Sequence, residues 1–220
     1  MGFTPSATLL AYNQINPDLD RTEFPLYDPE DLIEYAGRWD YGTKSLQKMG
    51  NRDIITKWMG SGEESMIEMG DATFFIACSR VVSHELVRHR LASYQQESQR
   101  FVDYTAESID DLFYVDPALE ENEEYTTAIY ASLGSYNTLR VAGVNKQLAR
   151  YVLTNGMRTR IIMKTNFREW RHVLKLRMHT SAQPEMRLVA RQIHDQLVEK
   201  FPIIFSDIKP ALEAGLRTAR

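Results

Sequence analysis

Cysteine is nearly absent: Cys78 is the only one in 220 residues. No intrachain disulfide can form, a structural zinc site built on thiolates is excluded, and a reducing cytoplasm is the expected setting. No apolar run approaches the ~18 residues of a membrane span. The N-terminal stretch lacks a basic segment followed by an apolar one, so a secretory leader is not expected. Repeats, low-complexity tracts and flexible linkers are also missing. With 43% hydrophobic residues, the chain can bury a full core as one domain over 1–220, or as one domain with a helical appendage.

Positive charge is missing where negative charge is dense. Between Phe101 and Leu139 there is no Lys or Arg, while Glu107, Asp110, Asp111, Asp116, Glu120, Glu121, Glu123 and Glu124 are acidic. Between Arg158 and Arg177 the balance inverts, with seven cations and one acid, Glu169. A net charge of −4 argues against a general nucleic-acid binder and for a focused anion site. Two solvated faces of opposite sign would give the same pattern.

What is present reads as α+β, with helices dominating the C-terminal half. Residues 6–12 suit an opening strand, and 13–29 a loop rich in Asn, Asp and Pro. Asp28-Pro29-Glu30-Asp31 starts a helix toward Trp39, and 51–60 form a second, short one. The run 71–82 reads as a buried strand, and Ser83 is expected to cap a helix through Ser93 or beyond. Residues 104–115 read as an acidic edge strand or cover loop. A long helix follows from Glu120 to Ala142, then a short one capped by Asn145. Residues 157–165 suit a strand, Asn166 caps a helix over 167–177, and Pro184 opens a helix through Glu199. A short terminal helix is expected after Pro202, in the last sixteen residues.

The stretch most dense in chemistry is Arg88-His89-Arg90-Leu91-Ala92-Ser93-Tyr94-Gln95-Gln96-Glu97-Ser98-Gln99-Arg100. Guanidinium groups set straight after a core strand make sense around a phosphate, whose oxygens they match in pairs. A solvated helix is the plain alternative. On a helix His89 and Ser93 would be neighbours, and Arg88 and Arg90 would diverge by roughly 200°, too far apart to grip one phosphate.

The spacing Arg-His-Arg, two residues, Ser, four residues, Ser, one residue, Arg resembles the signature of flavin-dependent thymidylate synthases. Other segments are similar to that family too: Ala36-Gly37-Arg38-Trp39-Asp40-Tyr41, the lead-in Ser83-His84-Glu85-Leu86-Val87, Asn166-x-Arg168 with His172, and Arg177 followed by Ala182-Gln183-Pro184-Glu185-Met186-Arg187. The resemblance spans about Ala36 to Ala190. It implies a mostly antiparallel sheet flanked by helices, and a homotetramer with shared active sites. It also implies conversion of deoxyuridylate (dUMP) to thymidylate (dTMP) with FAD, methylenetetrahydrofolate as one-carbon donor and NADPH as reductant, with no nucleic-acid or membrane partner.

Carried over by residue, it implies FAD contacts at Ser65, Arg88, His89, Arg90, Gln96, Asn166, Arg168 and His172. Contacts to dUMP are implied at Glu85, Arg88, Gln96, Glu97, Ser98, Gln99, Arg100, Arg150 and Arg177. Arg177 would sit beside the uracil ring and favour its ionised form. No metal is implied. The chemistry agrees: Cys78 lies in an apolar run where its thiolate is suppressed, so a reduced flavin replaces the enzyme nucleophile that C5 methylation otherwise needs. Ser98 lacks a His-Asp partner and suits a phosphate contact better than nucleophilic attack.

The chain departs from the family at the usual His-x-(Ser/Thr)-x-x-Glu-His, which reads Glu63-x-Ser65-x-x-Glu68-Met69. The first histidine is expected beside the flavin and pterin rings, and Glu63 cannot stack there. Trp39 and Trp58 are the candidates to supply a flat ring instead. A further common histidine is Ser181. The alternatives are therefore the same flavin chemistry on another uracil nucleotide or donor, a non-catalytic flavin- or nucleotide-binding relative, and a nucleic-acid binder using the 158–177 element.

Overall fold

Alternation of side chains sets the sheet. Ala72, Phe74, Ile76 and Cys78 are fully buried along one strand, and Ile161 and Met163 match them on its neighbour. The structure, a computed structural model, describes residues 2–210. Its sheet comprises β1 (Ser6–Tyr12), β2 (Asp71–Ser79), β3 (Ala92–Gln96) and β4 (Arg158–Asn166) in the order β1-β2-β4-β3, every neighbouring pair antiparallel. Helices α1 (Pro29–Trp39), α2 (Thr43–Leu46) and α3 (Asp53–Gly60) precede β2, and α4 (Arg80–Leu86) joins β2 to β3. Then come α5 (Ile109–Leu112), α6 (Glu123–Val141) and α7 (Lys146–Ala149). After β4 follow α8 (Phe167–Arg177), α9 (Pro184–Lys200) and α10 (Pro202–Phe205). No helix among the described residues is long and apolar enough to cross a membrane.

One apolar cluster joins β2 and β4 to α8, α9, α1 and α3. Trp170 of α8 lies edge-on to Phe74, with ring centroids 5.1 Å apart, and its indole N–H donates to Ala72 O at 3.0 Å. That bond satisfies the polar end of a fully buried ring. A second cluster lies under α6, where Ile129, Leu133 and Tyr136 meet Tyr104, Phe113 and Met157. On the far side of the sheet, two glutamines of α9 reach the outer edge of β1. Gln192 Oε1 accepts from Ala7 N at 2.7 Å and Gln196 Oε1 from Leu9 N at 2.8 Å, while their amide N–H groups donate to Pro5 O and Ala7 O.

Several boundaries differ from the sequence expectation. The strand ends at Ser79, and Ser79 caps α4 by accepting from Val82 N at 3.2 Å. Ser83 lies inside the helix, buried, with its hydroxyl turned back to Arg80 O. The helix stops at Leu86, so the Arg88–Arg100 signature does not ride on a helix. It forms a turn and then β3, with Ser93 paired to Lys164 across the sheet and not stacked on His89. Residues 104–115 form a cover loop: only Phe113 bridges to Met157, and α5 interrupts the segment. After Phe201 the described residues form the single helical turn α10; the expected terminal helix lies for the most part beyond residue 210, outside the described residues.

Candidate active site

The turn between α4 and β3 is shaped by its own tyrosine. Tyr94 on β3 donates its hydroxyl to Leu86 O at 2.6 Å and His89 O at 2.9 Å, and Thr165 of β4 donates to Leu91 O at 2.6 Å. These tertiary bonds satisfy carbonyls that a continuing helix would have used. The turn therefore buries His89 and leaves Arg88 and Arg90 exposed, with no ion-pair partner for either arginine among the described residues.

His89 is the hub. Its Nδ1 lies 3.2 Å from Glu169 Oε1, and its Nε2 receives the Arg177 Nε–H at 3.1 Å. The second bond requires a lone pair on Nε2, which assigns the proton to Nδ1, where it is donated to Glu169. Burial and the Arg177 cation push His89 below its ordinary value of 6.5, so the ring is neutral. Arg177 is gripped further by Glu85, through Oε2 at 2.7 Å and the backbone carbonyl at 3.0 Å. The guanidinium is thus aimed by three acceptors, with its side chain 16% exposed. His172, on the next turn of α8 after Glu169, presents an exposed ring edge-on to His89 at 5.7 Å.

Ligand atoms of His89, Glu169 and His172 lie within 4.8 Å of one another, close enough for a metal ion. Both nitrogens of His89 are already committed, to Glu169 and Arg177, and His172 meets His89 through a ring contact alone.

Because the folded chain resists a proton that the unfolded chain accepts, His89 contributes stability that is whole above about pH 6.5. That contribution is lost as pH falls through the lowered folded value. Urea unfolding between about pH 8 and about pH 5 is expected to report a falling stability, and His89→Asn should flatten the acid limb.

A cleft of about 580 Å³ opens beside the hub, lined among others by Leu91 from the turn and Asn166, Arg168 and His172 from the β4–α8 junction. Asn166 caps α8 by accepting from Glu169 N at 2.8 Å, which sets Arg168 and His172 on one side of the helix. Arg168 reaches Glu68 at 2.7 Å. It also lines a smaller hollow with Ser65, Glu63 and Tyr41.

The expected phosphate residues gather elsewhere, in the segment that follows β3 and around α7. Arg100 Nε donates to Gln147 Oε1 at 3.0 Å and Arg150 Nε to Gln147 O at 3.1 Å, so two arginines fifty positions apart meet at one glutamine. Gln96 bridges to Ser83 of α4 and Thr159 of β4 at 3.0 and 3.1 Å, tying this end to the helix that carries Glu85. Gln99 contacts Met157 Sδ at 3.1 Å, and half-buried Ser98 sits between them in the chain. Both Glu97 oxygens are engaged, by Tyr104 at 3.0 Å and Arg160 at 2.9 Å.

Cys78 is fully buried, and desolvation pushes its thiol far up, in keeping with its exclusion as a nucleophile. The cation-rich 158–177 segment is neutralised from within. Arg158 pairs with Glu107, Arg160 with Glu97, Lys164 with Asp71, Arg168 with Glu68, Arg171 with Asp207, Lys175 with Glu64 and Arg177 with Glu85.

At the departure from the family pattern, both tryptophans are engaged by neighbouring tyrosines. Trp39 stacks on Tyr35, and Trp58 is buried under Tyr41 with centroids 5.9 Å apart and planes 5° from parallel. The exposed ring next to Glu63 is Tyr41, whose hydroxyl donates to Glu63 Oε2 at 2.8 Å. Sequence reasoning also passed over Glu169 and Gln147. The first had a signal, as the lone acid in a basic segment; the second had none.

A buried neutral imidazole, an aimed guanidinium and two exposed arginines with no ion-pair partner among the described residues are an arrangement suited to anionic small molecules. The model of the family described as thymidylate synthase complementing protein matches residues 24–203. The flavin-dependent thymidylate synthase of Pyrococcus furiosus is 32% identical over 190 residues, covering 83% of this chain and 75% of the relative. That of Geobacter sulfurreducens is 33% identical over 198 residues, covering 86% and 85%. The chain belongs to the flavin-dependent thymidylate synthase family. Two solved structures share the fold: thymidylate synthase X of Helicobacter pylori with FAD and dUMP (TM-score 0.75, 20% identity, 93% of this chain and 98% of that one), and the UMP/dUMP methylase PolB of Streptomyces cacaoi bound with 5-Br dUMP (TM-score 0.75, 21% identity, 92% and 93%).

Proposed function

We propose that this chain converts dUMP to dTMP by FAD-dependent reductive methylation, with methylenetetrahydrofolate as donor and NADPH as reductant, in a homotetramer whose copies share the sites. The observation that carries this reading is the Glu85–Arg177–His89–Glu169 chain of hydrogen bonds, which aims a permanent cation from beside a polar cleft of mixed charge, where Arg168, Arg171 and Lys175 face Glu64, Glu68 and Glu169.

The residues present fit a flavin. Arg88 and Arg90 are exposed, with no ion-pair partner among the described residues, and the polar cleft of about 580 Å³ has the size of a cofactor site. In this reading Ser65, Arg88, His89, Arg90, Gln96, Asn166, Arg168 and His172 hold FAD, which supplies redox equivalents to the pyrimidine and removes the need for a cysteine nucleophile. Arg88, Gln96, Ser98, Gln99, Arg100 and Arg150 bind the phosphate and sugar of dUMP, and Glu85 and Glu97 hold Arg177 and the β3 end in position. Arg177 stabilises the negative charge that develops on the uracil ring as C5 becomes nucleophilic. His89, kept neutral, accepts from Arg177 and so fixes its orientation without adding a competing positive charge.

Incubating the protein with dUMP, FAD, NADPH and methylenetetrahydrofolate should yield dTMP; flavin bound with no product would reject the reading. Running UMP in parallel separates the two uracil nucleotides. Arg100→Ala is expected to weaken dUMP binding by roughly 1.5–3 kcal/mol, the scale of a charged hydrogen bond, in a calorimetric titration. Wild-type affinity would move the phosphate site away from Gln147.

A further inference from the structure

Tyr41 is a shared wall. One side of it faces the hollow that contains Ser65, Glu63 and Arg168. The other lines the most spacious of the clefts described here, about 830 Å³, together with Arg38, Lys44, Lys48, Ile54 and Trp58. The Tyr41–Trp58 stack supplies a flat aromatic floor, and the Tyr41 hydroxyl anchors that floor to Glu63. Arg38 is satisfied by Glu34 and by the carbonyls of Ser45 and Asn51. Lys44 and Lys48 differ: both are exposed, and neither has an ion-pair partner among the described residues. Like charges four residues apart in one turn region repel, and an anion between them relieves the repulsion. In a chain of net charge −4, two lysines with no ion-pair partner among the described residues, at the mouth of an aromatic cleft, suit a ligand that pairs a flat ring with an anionic end.

We propose that this cleft receives the carboxylate-bearing tail of the one-carbon donor, with its aminobenzoyl ring on Tyr41 and its glutamate carboxylates at Lys44 and Lys48. The inference rests on the reading above, which assigns Ser65 and Arg168 to the flavin, so that the reactive pterin end lies on the Glu63 side of Tyr41. The tail then leads away from the chemistry and into the basic cleft. Folates with added γ-linked glutamates carry one more carboxylate per unit, so the cleft should discriminate by tail length. NADPH, whose phosphates would also suit lysines, is the competing occupant that the test separates.

The experiment is a titration of the intact protein with the mono- and triglutamate forms of 5-formyltetrahydrofolate, followed by tryptophan fluorescence, alongside steady-state KM values for both methylene donors, NADPH and dUMP. The triglutamate is expected to bind roughly fivefold tighter than the monoglutamate, each exposed ion pair contributing a few-fold. In Lys44→Ala/Lys48→Ala the two forms should bind alike, and Lys44→Glu/Lys48→Glu should favour the monoglutamate. KM for dUMP should not move, and a thermal melt matching wild type would exclude a folding defect. A preserved length preference in the double variants would overturn the inference, as would a KM change confined to NADPH. If the folates bind with this preference but no dTMP forms, the cleft assignment stands and the reaction assigned above falls. If dTMP forms and the preference is absent, the reverse holds.

Discussion

Replacing Arg177 with alanine is expected to lower the rate of dTMP formation by roughly a hundred- to a thousandfold, the scale for losing one preorganised donor at a developing anion. The side chain is held by Glu85 Oε2 at 2.7 Å, Glu85 O at 3.0 Å and His89 Nε2 at 3.1 Å. Little reorganisation is therefore left for the moment of reaction. Arg88, Arg90, Asn166 and Arg168 are untouched by the change, so the flavin spectrum of the variant should persist. Arg177→Lys is the sharper control: it keeps a positive charge and loses the planar fork, and it should recover little. A second readout distinguishes an electrostatic role from a structural one. Arg177 is one of the causes that depress His89, so in the alanine variant the imidazole should titrate closer to 6.5, visible by NMR. Unchanged turnover would remove Arg177 from the chemistry.

The largest expected effect on stability lies away from the site, at Glu34. This carboxylate is fully buried; it accepts from Arg38 Nε at 2.7 Å and from the backbone N–H groups of Gly50 and Asn51 at 3.1 Å each. Gly50 has φ 89°, a left-handed turn that glycine adopts without strain, and Glu34 pins that turn to α1. Glu34→Ala would leave a buried guanidinium and two backbone donors without their acceptor. A cost of about 3–5 kcal/mol follows, and a fall in Tm of roughly 10 °C for a domain of this size. Urea and thermal unfolding measure it directly. A loss under about 1 kcal/mol would mean that the carbonyls of Ser45 and Asn51, each 3.4 Å from Arg38, are sufficient partners alone. Since Arg38 lines the Tyr41 cleft, the same variant should also loosen that region.

Where the chain carries a local signal, the fold was legible. Asn166 caps α8 over Phe167–Arg177 and Asp28 with Pro29 opens α1, because a side-chain oxygen three residues ahead of an orphan N–H acts within one turn. The apolar run at 72–78 gave the central strand for a similarly local reason. The signature was misread as helix because its conformation is decided at long range. Ala-Ser-Tyr-Gln-Gln becomes a strand through pairing with β4, and the helix before it is cut by a tyrosine hydroxyl from the following strand. Ser79 and Ser83 are both plausible caps by sequence, and only the end of β2 chooses between them. Within the site, residue types and family spacing pointed to His89, Asn166, Arg168, His172 and Arg177, which the fold brings around α8. The supporting partners Glu169, Gln147 and Tyr41 carry ordinary residue identities and become informative only when their distances are known.

The α9 glutamines have a consequence for how this sheet meets other chains. By offering acceptor and donor alternately along β1, Gln192 and Gln196 imitate the backbone of a neighbouring strand and close that border against extended intruders. Growth of the sheet is thereby confined to the opposite rim, where β3 carries Gln96 at its end. Any peptide that docks by lengthening this sheet would lie along β3, within the Arg88–Arg100 stretch.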